Sequence, residues 1–134
     1  MKRKMPKLNT REGGYAIAPP KVPSKRFCLA VDLKPDSAGI KKYLHYHSRK
    51  GVWMEIVEGI RKAGIPVMDI YRADNRLFMI CEVPRRVDLD AAFKKMGTFE
   101  RQDEWGKIMT GLQQALPGHK LEWVKLERVF QLYK

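Results

Sequence analysis

Cysteine is scarce in this chain. Cys28 and Cys81 are the only two among 134 residues, and they form no Cys-x-x-Cys pair. Histidine is nearly as rare, and none of His45, His47 and His119 stands at zinc-site spacing from a cysteine. These absences argue against a zinc module or a redox dithiol, and no metal site is expected. Both cysteines sit inside apolar runs, where thiols act as small buried hydrophobes in a reducing compartment. They could pair only if their strands were neighbours. No run approaches the roughly 18–20 apolar residues of a membrane helix. No apolar h-region follows the basic N-terminus, so no secretory signal is read there. The expected location is the cytoplasm.

Acidic residues are also in short supply. There are 15 Asp and Glu against 27 Lys and Arg, for a net charge of +12. Half of that excess falls in residues 1–25, where seven basic residues face the single acid Glu12. With Gly13-Gly14, Pro19-Pro20 and Pro23 interspersed, residues 1–25 read as a basic flexible extension. A nucleic-acid-binding tail is the alternative. Residues 26–134 are then a single domain, long enough for one core.

From Arg26 the pattern becomes regular. Phe27–Val31 is an apolar run of strand length, stopped by Lys34-Pro35. Asp36 or Ser37 can cap a helix whose stripe is Ile40, Tyr43, Leu44 and His47. Trp53, Ile56, Val57 and Ile60 form a second stripe that starts six residues later, about 240° out of phase with the first. The segment Ser48–Gly51 must therefore break, bulge or overwind the helix, which places His47 at a helical end. Gly64 closes the second stripe, and Val67–Tyr71 reads as a strand. Asp74-Asn75 suits a hairpin turn, and Arg76–Glu82 is the returning strand. Asp88 can cap a short helix ending at Gly97. A longer one is expected over 100–116, ended by Pro117-Gly118, with a closing strand over 124–133.

The resulting order, β-α-β-β-α-β with the second helix in two pieces, is the ferredoxin-like α+β plan: a four-stranded antiparallel sheet with helices on one face. The strands are apolar on both sides, Cys28 and Ala30 alternating with Phe27, Leu29 and Val31. The uncovered face therefore needs a partner, most simply a second copy in a homodimer of the α/β-barrel type.

The chemistry legible from the residues is limited. Tyr43 and His47 are four apart on one helical face, so their side chains are neighbours. A histidine at a helical C-terminus is stabilised as the cation, which suits an acid. Both could equally be core-margin residues packing with Ile40 and Leu44. Trp105 begins an ordinary core stripe with Ile108, Met109 and Leu112. Asp69 is either a pocket group or a surface strand residue.

Specific runs carry more. Arg26–Tyr133 resembles the L-fucose mutarotase branch of the L-rhamnose mutarotase family. The similarity lies in the strand RFCLAVDL, Tyr43-x-x-x-His47, Val52-Trp53-x-Glu55, Asp69-Ile70-Tyr71-Arg72 and Asn75–Ile80. It continues in Glu104-Trp105 before Met109, and in Glu127-Arg128-Val129-Phe130. The resemblance implies a cofactor-free enzyme that interconverts the α and β anomers of a 6-deoxyhexose, a monosaccharide substrate, and a ferredoxin-like dimer. It implies His47 as proton donor, with Tyr43 and Trp105 binding sugar and Met68 lining the pocket. The rhamnose branch has a tyrosine at the place of Met68 and a second tryptophan at that of Gly106, so both departures lean away from rhamnose, and methionine suits the fucose branch. This chain also carries two extra residues between His47 and Trp53, and Met54 where a proline is usual.

The alternatives are an L-rhamnose mutarotase, a non-catalytic sugar binder, a related dimeric oxygenase and a nucleic-acid-binding module. The last conflicts with Leu77–Glu82, which lacks the exposed aromatic and basic residues of an RNA-binding sheet.

Overall fold

The strand β1 (Ser24–Leu33) organises the molecule, and it starts two residues ahead of Arg26. The computed structural model describes residues 23–133. The extension assigned to residues 1–25 therefore lies almost wholly outside the described residues. Along one edge β1 pairs antiparallel with β3 (Arg76–Pro84), from Ser24 opposite Pro84 to Asp32 opposite Arg76. On its far side β3 pairs with β2 (Val67–Ala73) through the two-residue turn Asp74-Asn75. Asp74 takes φ 54° there, a left-handed conformation that aspartate tolerates.

The strand period of two decides which residues are buried. Leu29, Val31 and Leu33 of β1, with Leu77, Met79, Cys81 and Val83 of β3, face the helices and are almost sealed from solvent. Among the described residues four helices cover that face: α1 (Ser37–Tyr46), α2 (Met54–Lys62), α3 (Leu89–Met96) and α4 (Gln102–Leu112). Asp36 caps α1 by accepting from Gly39 N at 3.1 Å, and Asp88 caps α3 by accepting from Ala91 N at 2.9 Å. Gly64, at φ 88°, follows the end of α2.

Both helical crossings are split, so the phase slip between the first two stripes is a true break. Gly51 permits it at close quarters, because a Cβ there would overlap the carbonyl oxygen of His45. The turn is held by Ser48 Oγ, which donates to His45 O at 2.6 Å and accepts from Gly51 N at 3.1 Å.

Two expectations need correction. The second long helix stops at Leu112, not Leu116. Lys34 N donates to Leu112 O (3.0 Å), Lys34 Nζ to Gly111 O (2.9 Å), and the chain turns to pair with β1 as β4 (Gln113–Gln114). Sheet pairing captures the helix end before Pro117 can act. The closing strand is likewise reduced to β5 (Val124–Lys125). β4 lies opposite Asp32 and Leu33, and β5 opposite Leu29 and Ala30, so the two short strands share one edge of β1. The nine residues between them leave the sheet. Leu126 N makes one more bond, to Cys28 O at 2.8 Å. Beyond it Val129, Phe130, Leu132 and Tyr133 are exposed. Alternation along 124–133 records side chains suited to an apolar surface, and the single chain offers them none.

The architecture is nonetheless ferredoxin-like α+β, with strand order β2-β3-β1 followed by the divided fourth strand. The face away from the helices carries half-buried Cys28, Phe78 and Ile80, with Ala30 buried among them, between two cross-strand ion pairs. Arg26 meets Glu82 at 3.0 Å at one end, and Arg76 donates to both carboxylate oxygens of Asp32 (2.8 and 3.1 Å) at the other. Cys28 and Cys81 are on neighbouring strands, but Cys28 stands opposite Ile80 and Cys81 opposite Phe27. Their side chains point to opposite faces, and both are free thiols.

Candidate active site

The break after α1 leaves His47 as the C-cap of that helix, with φ −100° and ψ 3°. Its amide bonds back to the carbonyls of Tyr43 and Leu44, both at 3.2 Å. One turn earlier, Tyr43 is buried in a core cluster with Val31, Leu33, Leu77 and Met109. The (i, i+4) geometry stacks the two rings with centroids 4.1 Å apart and planes 23° from parallel.

A single hydrogen bond fixes the imidazole. Nδ1 lies 2.9 Å from the carbonyl oxygen of Tyr43. A carbonyl only accepts, so Nδ1 carries the proton and Nε2 is left as the titrating nitrogen. On the other side Trp105 approaches edge-on, at 5.4 Å between centroids. Trp105 is itself braced by Trp53 (5.2 Å) and Tyr46 (5.6 Å), and the Arg101 guanidinium lies 3.7 Å above the Trp53 ring. Arg101 holds φ 61° at the start of α4 and is gripped by both carboxylate oxygens of Glu104.

The rings border a cavity of about 520 Å³ where the two core clusters meet over the middle of the sheet. Tyr43, His47, Met68 and Trp105 all line it. The four residues singled out in the sequence are thus brought to one cavity. Asp69 is not among them: it sits on the opposite sheet face, exposed and paired with Ile80. His45 is exposed to solvent, away from the cavity lining.

Desolvation by the surrounding rings lowers the pKa of His47 from its ordinary 6.5, and the hydrogen bond with Tyr43 O opposes this only in part. His47 as a residue nonetheless remains exposed, with Tyr43 and Trp105 against its ring. The direction of the shift is opposite to the stabilised cation expected at a helical end. Burial raises the Tyr43 phenol far above its usual range, so its hydroxyl stays protonated. Among the described residues no three His, Cys, Asp or Glu side chains converge as metal ligands would.

Sequence reasoning missed Tyr46, Trp53, Arg101 and Gln102. Trp53 read as the first position of a helical stripe, whereas it precedes α2 and closes the ring cluster. Gln102 is buried and donates to Ile56 O at 3.3 Å, tying α4 to α2 where Gly59 leaves it room. Nothing in the local pattern marks these roles, which arise from the meeting of α2 and α4.

Comparison with known proteins identifies the family. Residues 26–132 match the family described as L-rhamnose mutarotase. The chain belongs to the L-rhamnose mutarotase family. A protein named L-fucose mutarotase, from Xanthomonas campestris pv. campestris, is 33% identical over 110 residues, covering 81% of this chain and 88% of that one. The crystal structure of an L-rhamnose mutarotase from Formosa agariphila aligns with a TM-score of 0.58 at 21% identity. It covers 81% of this chain and 99% of that one, and it supports the ferredoxin-like mutarotase-family fold.

Proposed function

We propose that this chain interconverts the α and β anomers of L-fucose or a closely related 6-deoxyhexose. His47 is the proton-transfer residue, Tyr43 an orienting hydroxyl, Trp105 a stacking wall and Met68 an apolar wall for the sugar's methyl side. The observation that carries the reading is the His47 imidazole, tied through Nδ1 to Tyr43 O and bordering a cavity with Nε2 available.

Mutarotation breaks and remakes one bond, C1–O5, and otherwise moves only protons. It consumes no oxidant or second substrate, and no cofactor enters the scheme. In the opening direction neutral Nε2 takes the proton of the anomeric hydroxyl. The C1–O5 electron pair leaves with O5, which takes a proton from a cavity water while the Tyr43 hydroxyl, held protonated by burial, orients the sugar. The open aldehyde rotates about C1–C2. The imidazolium then returns its proton to O1 as O5 re-attacks C1 from the other face and gives its own proton back to the cavity water. A group titrating near neutrality serves both directions, which favours histidine over a carboxylate or lysine.

L-Rhamnose remains the second candidate substrate, given the family. Met68 and Gly106 stand where the rhamnose-branch resemblance places large aromatics, and this favours L-fucose. The working unit is a homodimer in the cytoplasm. The apolar face of Cys28, Ala30, Phe78 and Ile80 supports a second copy, and the two free thiols fit a reducing compartment.

Saturation-transfer NMR between the two anomeric protons tests the activity. Accelerated exchange is expected for L-fucose above all. No acceleration with L-fucose, L-rhamnose or related deoxy sugars refutes the reading, and wild-type exchange in His47→Ala refutes the role given to that residue.

A further inference from the structure

The cavity is larger than a free deoxyhexose needs. Eleven non-hydrogen atoms, even at a liquid water's share of about 30 Å³ apiece, fill at most roughly 330 Å³. The space over the sheet is about 520 Å³.

The sheet register shows where the surplus lies. Lys125 of β5, Leu29 of β1, Met79 of β3 and Ile70 of β2 form one row, and all four border the cavity. Three inter-strand spacings of about 4.8 Å make that row roughly 14 Å long, about two pyranose rings end to end.

The β5 end carries its own set of groups. Trp123 is half-buried, and Glu122 adjoins it in the chain. From α3, Asp90 Oδ2 meets Lys125 Nζ at 3.1 Å. All of them line the same cavity. Among the described residues, no ring contact joins Trp123 to the cluster of Tyr46, His47, Trp53 and Trp105. An indole with carboxylates and an ammonium beside it is suited to a pyranose: the ring packs on the sugar's C–H face while charged groups hold its hydroxyls. Beside Trp105 the lining residue is Gly106, where even an added Cβ would meet no atom within 4 Å, so α4 leaves the cavity wide there.

We propose that the Trp123 end is a second sugar subsite, and that the chain acts on reducing disaccharides whose reducing unit is a 6-deoxyhexose. This rests on the mutarotase reading and extends its substrate class. The chemistry is unchanged. The anomeric carbon of the reducing unit is free, its C1–O5 bond opens and recloses at His47, and the glycosidic bond to the second sugar stays intact. Asp90, Glu122 and Lys125 hold hydroxyls of that second sugar.

The experiment is anomer exchange by saturation-transfer NMR on free L-fucose, free L-rhamnose, and disaccharides with either sugar at the reducing end, linked through O-2, O-3 or O-4. Wild-type protein is expected to accelerate exchange in at least one disaccharide. The double variant Asp90→Asn with Lys125→Met changes only exposed side chains. It is expected to raise KM for that disaccharide about fivefold or more, the effect of one lost hydrogen bond, while KM for the free sugar holds. Exchange of a free sugar but of no disaccharide overturns the subsite and leaves the mutarotase reading intact. An equal rise in KM for both sugars also overturns it. Exchange of none of the sugars removes both readings.

Discussion

At the scale of single residues the site turns on one imidazole flanked by Tyr43 and Trp105. Because desolvation lowers the His47 pKa below 6.5, neutral Nε2 persists into mildly acidic solution. The enzymatic exchange rate is therefore expected to stay level as pH falls from 7.5 through 6.5, then to decline as the imidazolium accumulates. A pH series with the buffer-catalysed background subtracted measures this, and a decline centred above 6.5 would contradict it. Trp105→Ala readmits water beside the ring, so the midpoint should move up toward 6.5. His47→Ala removes the proton-transfer group and is expected to slow exchange by about 10²–10⁴-fold with the fold retained. Much of this was legible in advance, since Tyr43 and His47 share a helical face and the phase slip after His47 put it at a helix end. The direction of the pKa shift was not. It depends on rings such as Trp105, which arrives from α4, 58 positions along the chain from His47.

At the scale of elements, the turn between α1 and α2 sets where His47 stands. Gly51 has no room for a methyl group against the His45 carbonyl. Gly51→Ala must push the turn outward and shift the cap residue, and a displacement of this kind typically costs on the order of 10²-fold in rate. Circular dichroism should show the helices intact while the exchange assay shows the loss; unaltered exchange would detach this turn from catalysis. Asp88→Ala deletes the side-chain acceptor for Ala91 N and should lower stability by about 1 kcal/mol in a denaturant titration. The caps at Asp36 and Asp88, the hairpin at Asp74-Asn75 and the stop at Gly64 were all readable, because each is a local rule with a local cause. The fourth strand was not. The alternating residues of 124–133 carry a strand pattern, but whether they pair depends on the free edge of β1, and β4 takes its Asp32–Leu33 end.

For the molecule as a whole, the sheet face turned away from the helices is the surface that calls for a partner. Phe78 and Ile80 stand beside Cys28 and Ala30 between the Arg26–Glu82 and Asp32–Arg76 ion pairs, an apolar strip with charged ends. Sedimentation should show a dimer for the wild type and a monomer for Phe78→Asp, which puts a carboxylate in the middle of that strip. A wild-type monomer at micromolar concentration would refute the assembly. The divided fourth strand has a separate consequence. Residues 115–123 are pinned at both ends to the same edge of β1, so the segment can lengthen, shorten or change composition without moving the register of any strand. It also delivers Trp123 to the cavity. Transplanting this arch between related chains would then be a modular route to new sugar preferences, since His47, Tyr43 and Trp105 reach the same cavity from α1 and α4 and not from the arch.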